Sequence, residues 1–293
     1  MTHIVRPIEQ REFAAAKAVW DRCFPEDADS YSDFYFSRRT KAEYILAAFT
    51  PAGEMIGTLH ALPYPLRFGG TLKRCALVTG VATLPEYRMQ GAAAAMLRTS
   101  EAWLREKGVC AAVLKPDADI YGPFGYRPFG WHDCYRVDPV QLAHVQPAEL
   151  LAPDAVHMLC LYEGFAKAYN GMMVRSLRYM ENTLLEAEAA GSKVFVSKQA
   201  YAIAYEGEEE ISLSELAGRD ILPLLAALGR FGKQLRFRLP AGFSLPGISS
   251  DERMMFSMLC PIDTAALLAD TGAESLEVLL SGAKKQNCTI EFC

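Results

Sequence analysis

The stretch Val78–Leu97, VTGVATLPEYRMQGAAAAML, decides how this chain is read. An apolar strand ends at Leu84-Pro85, a short loop follows, and a helix begins near Gly91. The order Arg88-Met89-Gln90-Gly91-Ala92-Ala93 places a glycine and small alanines at the helix start. The backbone N–H groups of a first helical turn have no intrahelical acceptor, and the helix dipole there favours an anion. Gly91 offers no side chain to obstruct a close approach, the alanines add little bulk, and Arg88 stands nearby as a charged donor. A pyrophosphate fits against such bare backbone. The plainer alternative is a tight strand-to-helix turn with alanines present for helix propensity. No GxxxxGK[ST] is present, so this is not a P-loop. No GxGxxG follows a strand, which argues against a dinucleotide fold.

A second feature lies downstream, in Tyr121-Gly122-Pro123-Phe124-Gly125-Tyr126 and then Arg127-Pro128-Phe129-Gly130-Trp131. Alone it reads as core plus turn. One helix and one strand separate it from Gly91, a spacing that brings both segments to neighbouring places on one sheet. Around them the first half alternates strands and helices. Strands are expected at His3–Arg6, Glu43–Phe49, Glu54–Ala61, Leu66–Phe68, Leu72–Leu84, Val109–Leu114 and Tyr126–Val137. Helices are expected at Ile8–Phe24, Tyr31–Arg39 and Gly91–Lys107. Hairpins followed by a strand–loop–helix–strand unit imply a mixed sheet with helices on both sides.

At 293 residues two domains are expected. Pro139, Pro147 and Pro153 break the periodicity over Asp138–Pro153, which sets a first domain at 1–138 and a second at 139–293. The second half again alternates, with helices at Asp154–Ala168, Arg175–Ala190 and Ile221–Phe231 and strands between and after them.

Arg88-x-x-Gly91-x-Ala93, after a strand ending Leu84-Pro85-Glu86-Tyr87, resembles the acetyl-CoA motif of the GNAT superfamily of N-acetyltransferases. Tyr121-x-x-x-Gly125-Tyr126 resembles that superfamily's later tyrosine motif. Gly80-Val81-Ala82-Thr83-Leu84-Pro85-Glu86-Tyr87-Arg88 is similar to the enhanced-intracellular-survival (Eis) subgroup. The similarity continues through Leu161-Tyr162, Asn170-Gly171, Arg175, Glu215-Leu216 and Met258-Leu259 before Ile262-Asp263. The resemblance implies an α+β fold of tandem GNAT-like domains, each a mixed, mostly antiparallel sheet flanked by helices. It implies acetyl-CoA as cosubstrate, held by Val81, Ala82, Thr83, Arg88, Met89, Gln90, Gly91, Ala92 and Ala93, with no metal. Tyr121 is the implied acid, and a backbone N–H of Val81–Thr83 the implied donor to the thioester oxygen. No second Arg-x-x-Gly-x-Ala follows a strand, so the second domain is expected to bind no cofactor. Eis-type proteins continue into a sterol-carrier-like domain whose terminal carboxylate returns to the active site. This sequence stops at Cys293, and one side of the acceptor pocket is then open or closed by a second copy of the chain in a homo-oligomer.

The formal net charge of −5 supplies no general attraction for nucleic acid or an anionic membrane. The amino terminus has no secretory pattern. The longest helical apolar stretch, near Ile221–Leu228, is too short to span a bilayer. The eight cysteines form no CxxC pair, in keeping with reduced thiols and a cytoplasmic location. The implied reaction is attack of a neutral amine on the thioester. The acceptor is a small molecule or a lysine side chain. The base is unassigned among Glu86, Glu26, Asp33, Glu43, His60 and His132. A catalytically idle acetyl-CoA-binding or assembly protein is the competing class, and Tyr121 favours the enzyme.

Overall fold

The computed structural model describes residues 3–27, 30–116, 120–282 and 286–289. The chain divides into two compact units. The first comprises Met1–Leu66, Leu72–Arg127 and Met258–Leu276. The second comprises Arg67–Thr71, Pro128–Ser257 and Glu277–Cys293.

The first unit opens with β1 (Ile4–Pro7), α1 (Phe13–Cys23), α2 (Ser30–Phe34), β2 (Ile45–Phe49), β3 (Met55–Phe68), β4 (Thr71–Thr83), α3 (Ala92–Glu106) and β5 (Ala111–Leu114). Strand β2 pairs antiparallel with β1 and with β3. Every β2 residue is buried, because helices cover both faces. Ile45, Ala47 and Phe49 join Ala16, Val19 and Trp20 of α1 in one apolar cluster. The alternate residues face α3, whose Met96 reaches Gly57, the cross-strand partner of Ala48. Strands β4 and β5 run parallel, Cys75 opposite Ala111 and Leu77 opposite Val113, joined by α3 as a parallel pair requires.

Three local expectations shift. The first helix begins at Phe13 rather than Ile8, because Gln10–Glu12 forms a 3-10 turn closed by a Glu9–Glu12 capping box. The helix expected over Tyr31–Arg39 widens after Phe34 into a π-helical turn at Tyr35–Arg39. Leu66–Phe68 is not a separate strand, since β3 runs on through Pro63 and Pro65. The β2 ladder stops at His60, so neither proline removes a bond from it.

The second unit contains β6 (Arg127–Val137), α4 (Ala155–Ala166), β7 (Met172–Met173), α5 (Leu177–Ala189), β8 (Lys193–Val196), β9 (Ala200–Glu206), β10 (Glu210–Gly218), α6 (Leu222–Gly229) and β11 (Gln234–Pro240). Here β8, β9 and β10 are antiparallel neighbours, β10 and β11 run parallel across α6, and β11 is antiparallel to β6. Both units therefore hold one helix-bridged parallel pair within otherwise antiparallel strands, the tandem α+β arrangement. The last strand, β12 (Glu252–Pro261), divides between the units at Ser257. Its Met258–Pro261 end pairs with β5. Helices α7 (Thr264–Leu268) and α8 (Leu276–Ser281) follow.

A bulge in β10 controls the polar heart of the second unit. The register passes from Leu213 opposite Ala204 to Glu215 opposite Ile203, which turns Glu215 to the face opposite Leu213. Leu213 stays in the apolar cluster that includes Leu224, Leu225 and Leu228 of α6. Glu215 turns to the side of α4 and α5, where Arg175 grips both its oxygens at 2.7 Å and the Tyr201 hydroxyl bonds to it. The Tyr162 ring lies 4.0 Å from the guanidinium. Arg175 and Glu215 side chains are 1% and 9% exposed, so an unpaired partner would be a buried charge.

Removing one member of that pair is expected to cost about 3–5 kcal/mol of unfolding free energy. Arg175→Met should lose that amount in urea denaturation, while Arg175→Met/Glu215→Leu should recover much of it. Equal losses in the two variants would contradict this role for the pair. A second prediction concerns acid. His60 is fully buried and His132 nearly so, and burial pushes each imidazole down to about 3. The unfolded chain then binds more protons than the native one between about pH 6.5 and pH 3, so stability must fall as pH falls through that window. The two histidines together should remove roughly 2 kcal/mol between pH 6 and pH 5. A flat stability profile over that unit would show that they are not buried as neutral rings.

Candidate functional site

The site grows from the end of β4. The β4–β5 ladder covers Cys75–Leu77, and β5 stops at Leu114 while β4 continues to Thr83. Within that extension Gly80 has φ +55°, a left-handed residue inside a strand. A Cβ there would lie 2.5 Å from the Trp20 ring and 3.3 Å from His60 Cδ2. Thr58 Oγ1 donates to the Gly80 carbonyl at 3.3 Å. Beyond Gly80, Ala82 is buried and Val81 and Thr83 are half-buried. The Thr83 hydroxyl is a buried group with no partner.

The loop after β4 is built to bare its backbone. Pro85–Tyr87 makes a 3-10 turn, and Arg88 Nε donates back to the Thr83 carbonyl at 3.2 Å. Gln90 Nε2 donates to the Glu86 carbonyl at 3.2 Å, and His3 Nε2 bonds the Gln90 carbonyl at 2.8 Å. Met89 (φ +59°) and Gly91 (φ +86°) are both left-handed, so the chain turns sharply twice before α3. Gly91 caps α3, whose first internal bond runs from Ala95 N to Gly91 O at 3.0 Å. A Cβ on Gly91 would meet nothing within 4 Å. The residue is glycine for its backbone angle, and the space beside it is open. A bare helix start, an unpartnered Thr83 hydroxyl and an arginine fit the phosphate and thioester ends of a coenzyme A ester.

Tyr121 precedes the 3-10 turn Gly122–Phe124 and is 5% exposed. Its ring meets Tyr126 edge-on at 5.9 Å. Burial drives the Tyr126 hydroxyl well above its usual pKa, with Cys260 and Tyr121 adding to the shift. Arg98 of α3 lies 5.4 Å from the Phe124 ring. Arg98 is seven residues from Gly91, about two helical turns, so the tyrosine loop sits against the first half of the same helix. The structure thus brings Arg88–Ala93 and the Tyr121 loop to one helix, α3.

The acid–base candidates separate by environment. His60 bonds Tyr35 through Nδ1 at 3.0 Å and leaves Nε2 buried without a partner. His132 stacks on Phe256 at 4.0 Å. Their depressed pKa values make both poor bases near neutrality. Glu86 pairs with Arg22 at 2.8 Å, and a backbone hydrogen bond, then Arg22, lowers its pKa. Asp33 pairs with Lys17, Glu43 lies 3.9 Å from Lys41, and Glu26 is exposed. Sequence reasoning missed Asp27. Burial, then the charge of Glu26, raises its pKa. Arg22, near the same end of α1, pairs with Glu86, which places this end of α1 beside the loop that carries Arg88. The carboxylate of Cys293 lies outside the described residues. Among the described residues no group of side chains could hold a metal ion, and no helix is long and apolar enough to cross a membrane.

Residues 4–129 match the model of the acetyltransferase (GNAT) domain. No curated protein matches the chain. Solved structures match across nearly its whole length. A conserved protein of unknown function from Enterococcus faecalis V583, described as a probable N-acyltransferase, is 17% identical with TM-score 0.74, over 92% of this chain and 75% of that one. Eis1 from Mycobacterium abscessus is 20% identical with TM-score 0.70, over 90% of this chain and 75% of that one. A putative acetyltransferase from Pyrococcus horikoshii is 15% identical with TM-score 0.56, over 89% of this chain and 90% of that one. At these identities the neighbours speak for the fold, while the match over 4–129 speaks for the chemistry. The match over residues 4–129 to a GNAT acetyltransferase domain supports an acyltransferase enzyme, and the chain has the fold of Eis1 and the other neighbours.

Proposed function

We propose that the chain transfers the acetyl group of acetyl-CoA to a primary amine by direct attack in a ternary complex. The observation that carries the reading is the left-handed Gly91 cap of α3, open on its outer side and flanked by Arg88. Bound acetyl-CoA supplies a thioester, with a thiolate as leaving group. Arg88 and the N–H groups of Met89–Ala93 hold the pyrophosphate. The backbone of Val81–Thr83 donates to the thioester oxygen where negative charge develops, and the free Thr83 hydroxyl adds a donor. Tyr121 gives a proton to the departing sulfur. A tyrosine near 10 is a weak acid beside a thiol near 8.5, so the transfer needs the hydrogen bond made before the C–S bond breaks.

The amine is mostly an ammonium at pH 7 and must lose a proton before it attacks. We assign that task to Asp27, because its raised pKa makes it a stronger base and it follows α1, whose Arg22 reaches the loop at Glu86. The acceptor is a small polyamine, an aminoglycoside-like compound or a lysine amine, in keeping with the negative net charge. The second domain, 139–293, takes no cofactor of its own. Helix α6 begins after exposed Asp220 with buried Ile221 in right-handed geometry and Pro223 in its first turn. An acidic residue and a missing N–H replace the bare cap of α3.

Calorimetry with acetyl-CoA is expected to give one site per chain. Gly91→Asn should keep the fold, because asparagine tolerates left-handed geometry and its side chain enters open space. Valine would strain the backbone at φ +86° and blur the result. Unchanged affinity in the asparagine variant would remove Gly91 from the site, and two bound molecules would refute the single-site claim. In thiol-release assays over a panel of amines, Tyr121→Phe should lower kcat by roughly 10²–10⁴ with little change in acetyl-CoA affinity. Absence of amine-dependent thiol release in the wild-type chain would favour the idle binding protein.

A further inference from the structure

Two free thiols lie against each other inside the first unit. Cys75 belongs to β4 and Cys110 immediately precedes β5, 35 positions on, and their sulfurs are 3.9 Å apart. The backbone fixes that approach. Cys75 is the register partner of Ala111, and the Cys110 N–H donates to the Arg74 carbonyl at 2.9 Å. Neighbouring strands run about 4.8 Å apart, inside the range over which a disulfide joins two chain segments. Passing from contact to bond therefore asks for side-chain rotation rather than a new strand register.

The charge beside the pair favours the chemistry. Lys73 and Cys75 are alternate residues of β4 and share one face of the strand. Lys73 is 6% exposed, and its Nζ donates to the carbonyls of Ala266 (2.8 Å) and Ala269 at the C-terminal end of α7. Among the described residues no carboxylate forms an ion pair with it. A buried ammonium held by carbonyls favours a neighbouring thiolate. With Cys75 as the donor, its hydrogen bond and then the charge of Lys73 hold the Cys110 thiol below its ordinary range, against burial and Asp263. The same contact and burial hold Cys75 above its own range. One sulfur is suited to attack and the other keeps its proton. Burial limits what reaches them, since Cys75 is 2% and Cys110 4% exposed. The turn before Cys110 lies at the surface, where Gly108 is exposed and a Cβ on it would meet only Arg74 Nη1, at 3.9 Å. Hydrogen peroxide, close to water in size, needs only a small local opening of this turn.

We propose that Cys75 and Cys110 form a disulfide on exposure to peroxide, reversed by small thiols, that fastens the start of β5 to β4. The Cys110 thiolate attacks one peroxide oxygen and the O–O bond breaks. The hydroxide released takes up the proton that Cys110 gave to solvent and leaves as water. The Cys75 sulfur then attacks the sulfenic sulfur of Cys110. The S–S bond forms, the S–O bond breaks, and the second hydroxide leaves as water with the Cys75 proton. Together the two sulfurs lose two electrons, which the peroxide gains. The bond closes the stretch of chain that runs from β4 through Arg88–Ala93 and α3 to β5. It restricts the unfolded chain and so stabilises the native one. No step rests on the acyl-transfer reading, and neither cysteine belongs to the groups assigned to it.

The test treats the reduced full chain with hydrogen peroxide under native conditions, at a dose that oxidises the exposed Cys160. The chain is then unfolded in an alkylating reagent and mapped by mass spectrometry. The expected product is a peptide pair joined through Cys75 and Cys110, lighter by two hydrogens than the separate thiol peptides and split by dithiothreitol. The joined chain should melt roughly 5 °C or more above the reduced one, and dithiothreitol should reverse the shift. Cys110→Ala should show no such shift with peroxide. Should that variant fail to fold, the peptide map of the wild-type chain decides by itself. Recovery of Cys75 and Cys110 as alkylated thiols, an unchanged or lowered melting temperature in the joined chain, or an equal rise in Cys110→Ala would each overturn the proposal.

Discussion

The contact between Trp20 and Gly80 is the constraint on which the end of β4, where we propose the acyl-transfer site, depends. Strand β4 turns left-handed at Gly80, and the Trp20 ring occupies the place that any side chain there would need. The indole is also stacked on Tyr35 at 4.5 Å and lies 5.3 Å from the His60 ring. One side chain therefore sets α1, the π-helical turn after α2, β3 and β4 against each other. The end of β4 inherits its direction from that contact. A glycine alone would leave the strand free to straighten, and a tryptophan against a regular strand would find no hollow.

The second unit uses an irregularity of the same kind for a different end. The extra residue in β10 moves Glu215 from the α6 core to the face shared with Arg175, Tyr162 and Tyr201. A regular strand would bury a carboxylate among leucines, at a cost of several kcal/mol. In both units an irregular residue breaks the two-residue alternation at one position and re-aims the rest of the strand. In the first unit it makes room for the Trp20 ring, and in the second it directs a charge to its partner.

Burial also decides which titratable groups are available for chemistry. Histidine is the usual choice for proton transfer at neutral pH. His60 and His132 are both held so far from water that the protonated ring is excluded. Glu86 keeps its charge through a backbone hydrogen bond and Arg22, and so binds a proton weakly. Asp27 is pushed the other way by burial and by Glu26, a shift that favours proton uptake. The identity of these residue types carries little information beside their solvation.

Much of the architecture was legible along the chain. The period of apolar residues located nearly every strand and helix, and Gly91 with its alanines marked the start of α3, because helix caps and anion-binding turns are local features. The 3-10 entry to α1, the π-helical turn at Tyr35–Arg39 and the passage of β3 through two prolines were not legible, since each depends on which neighbours supply or omit a hydrogen bond. The pairing of Arg175 with Glu215 spans 40 residues, and the return of Met258–Pro261 to β5 joins segments more than a hundred residues apart. The sequence by itself determined the elements, the helix cap and the residue types available for acyl transfer, because those arise from periodicity and local backbone chemistry. Tertiary structure alone decided which strands bend, which histidines are dry and which acceptor lacks a donor, because each of those depends on what fills the space around a side chain.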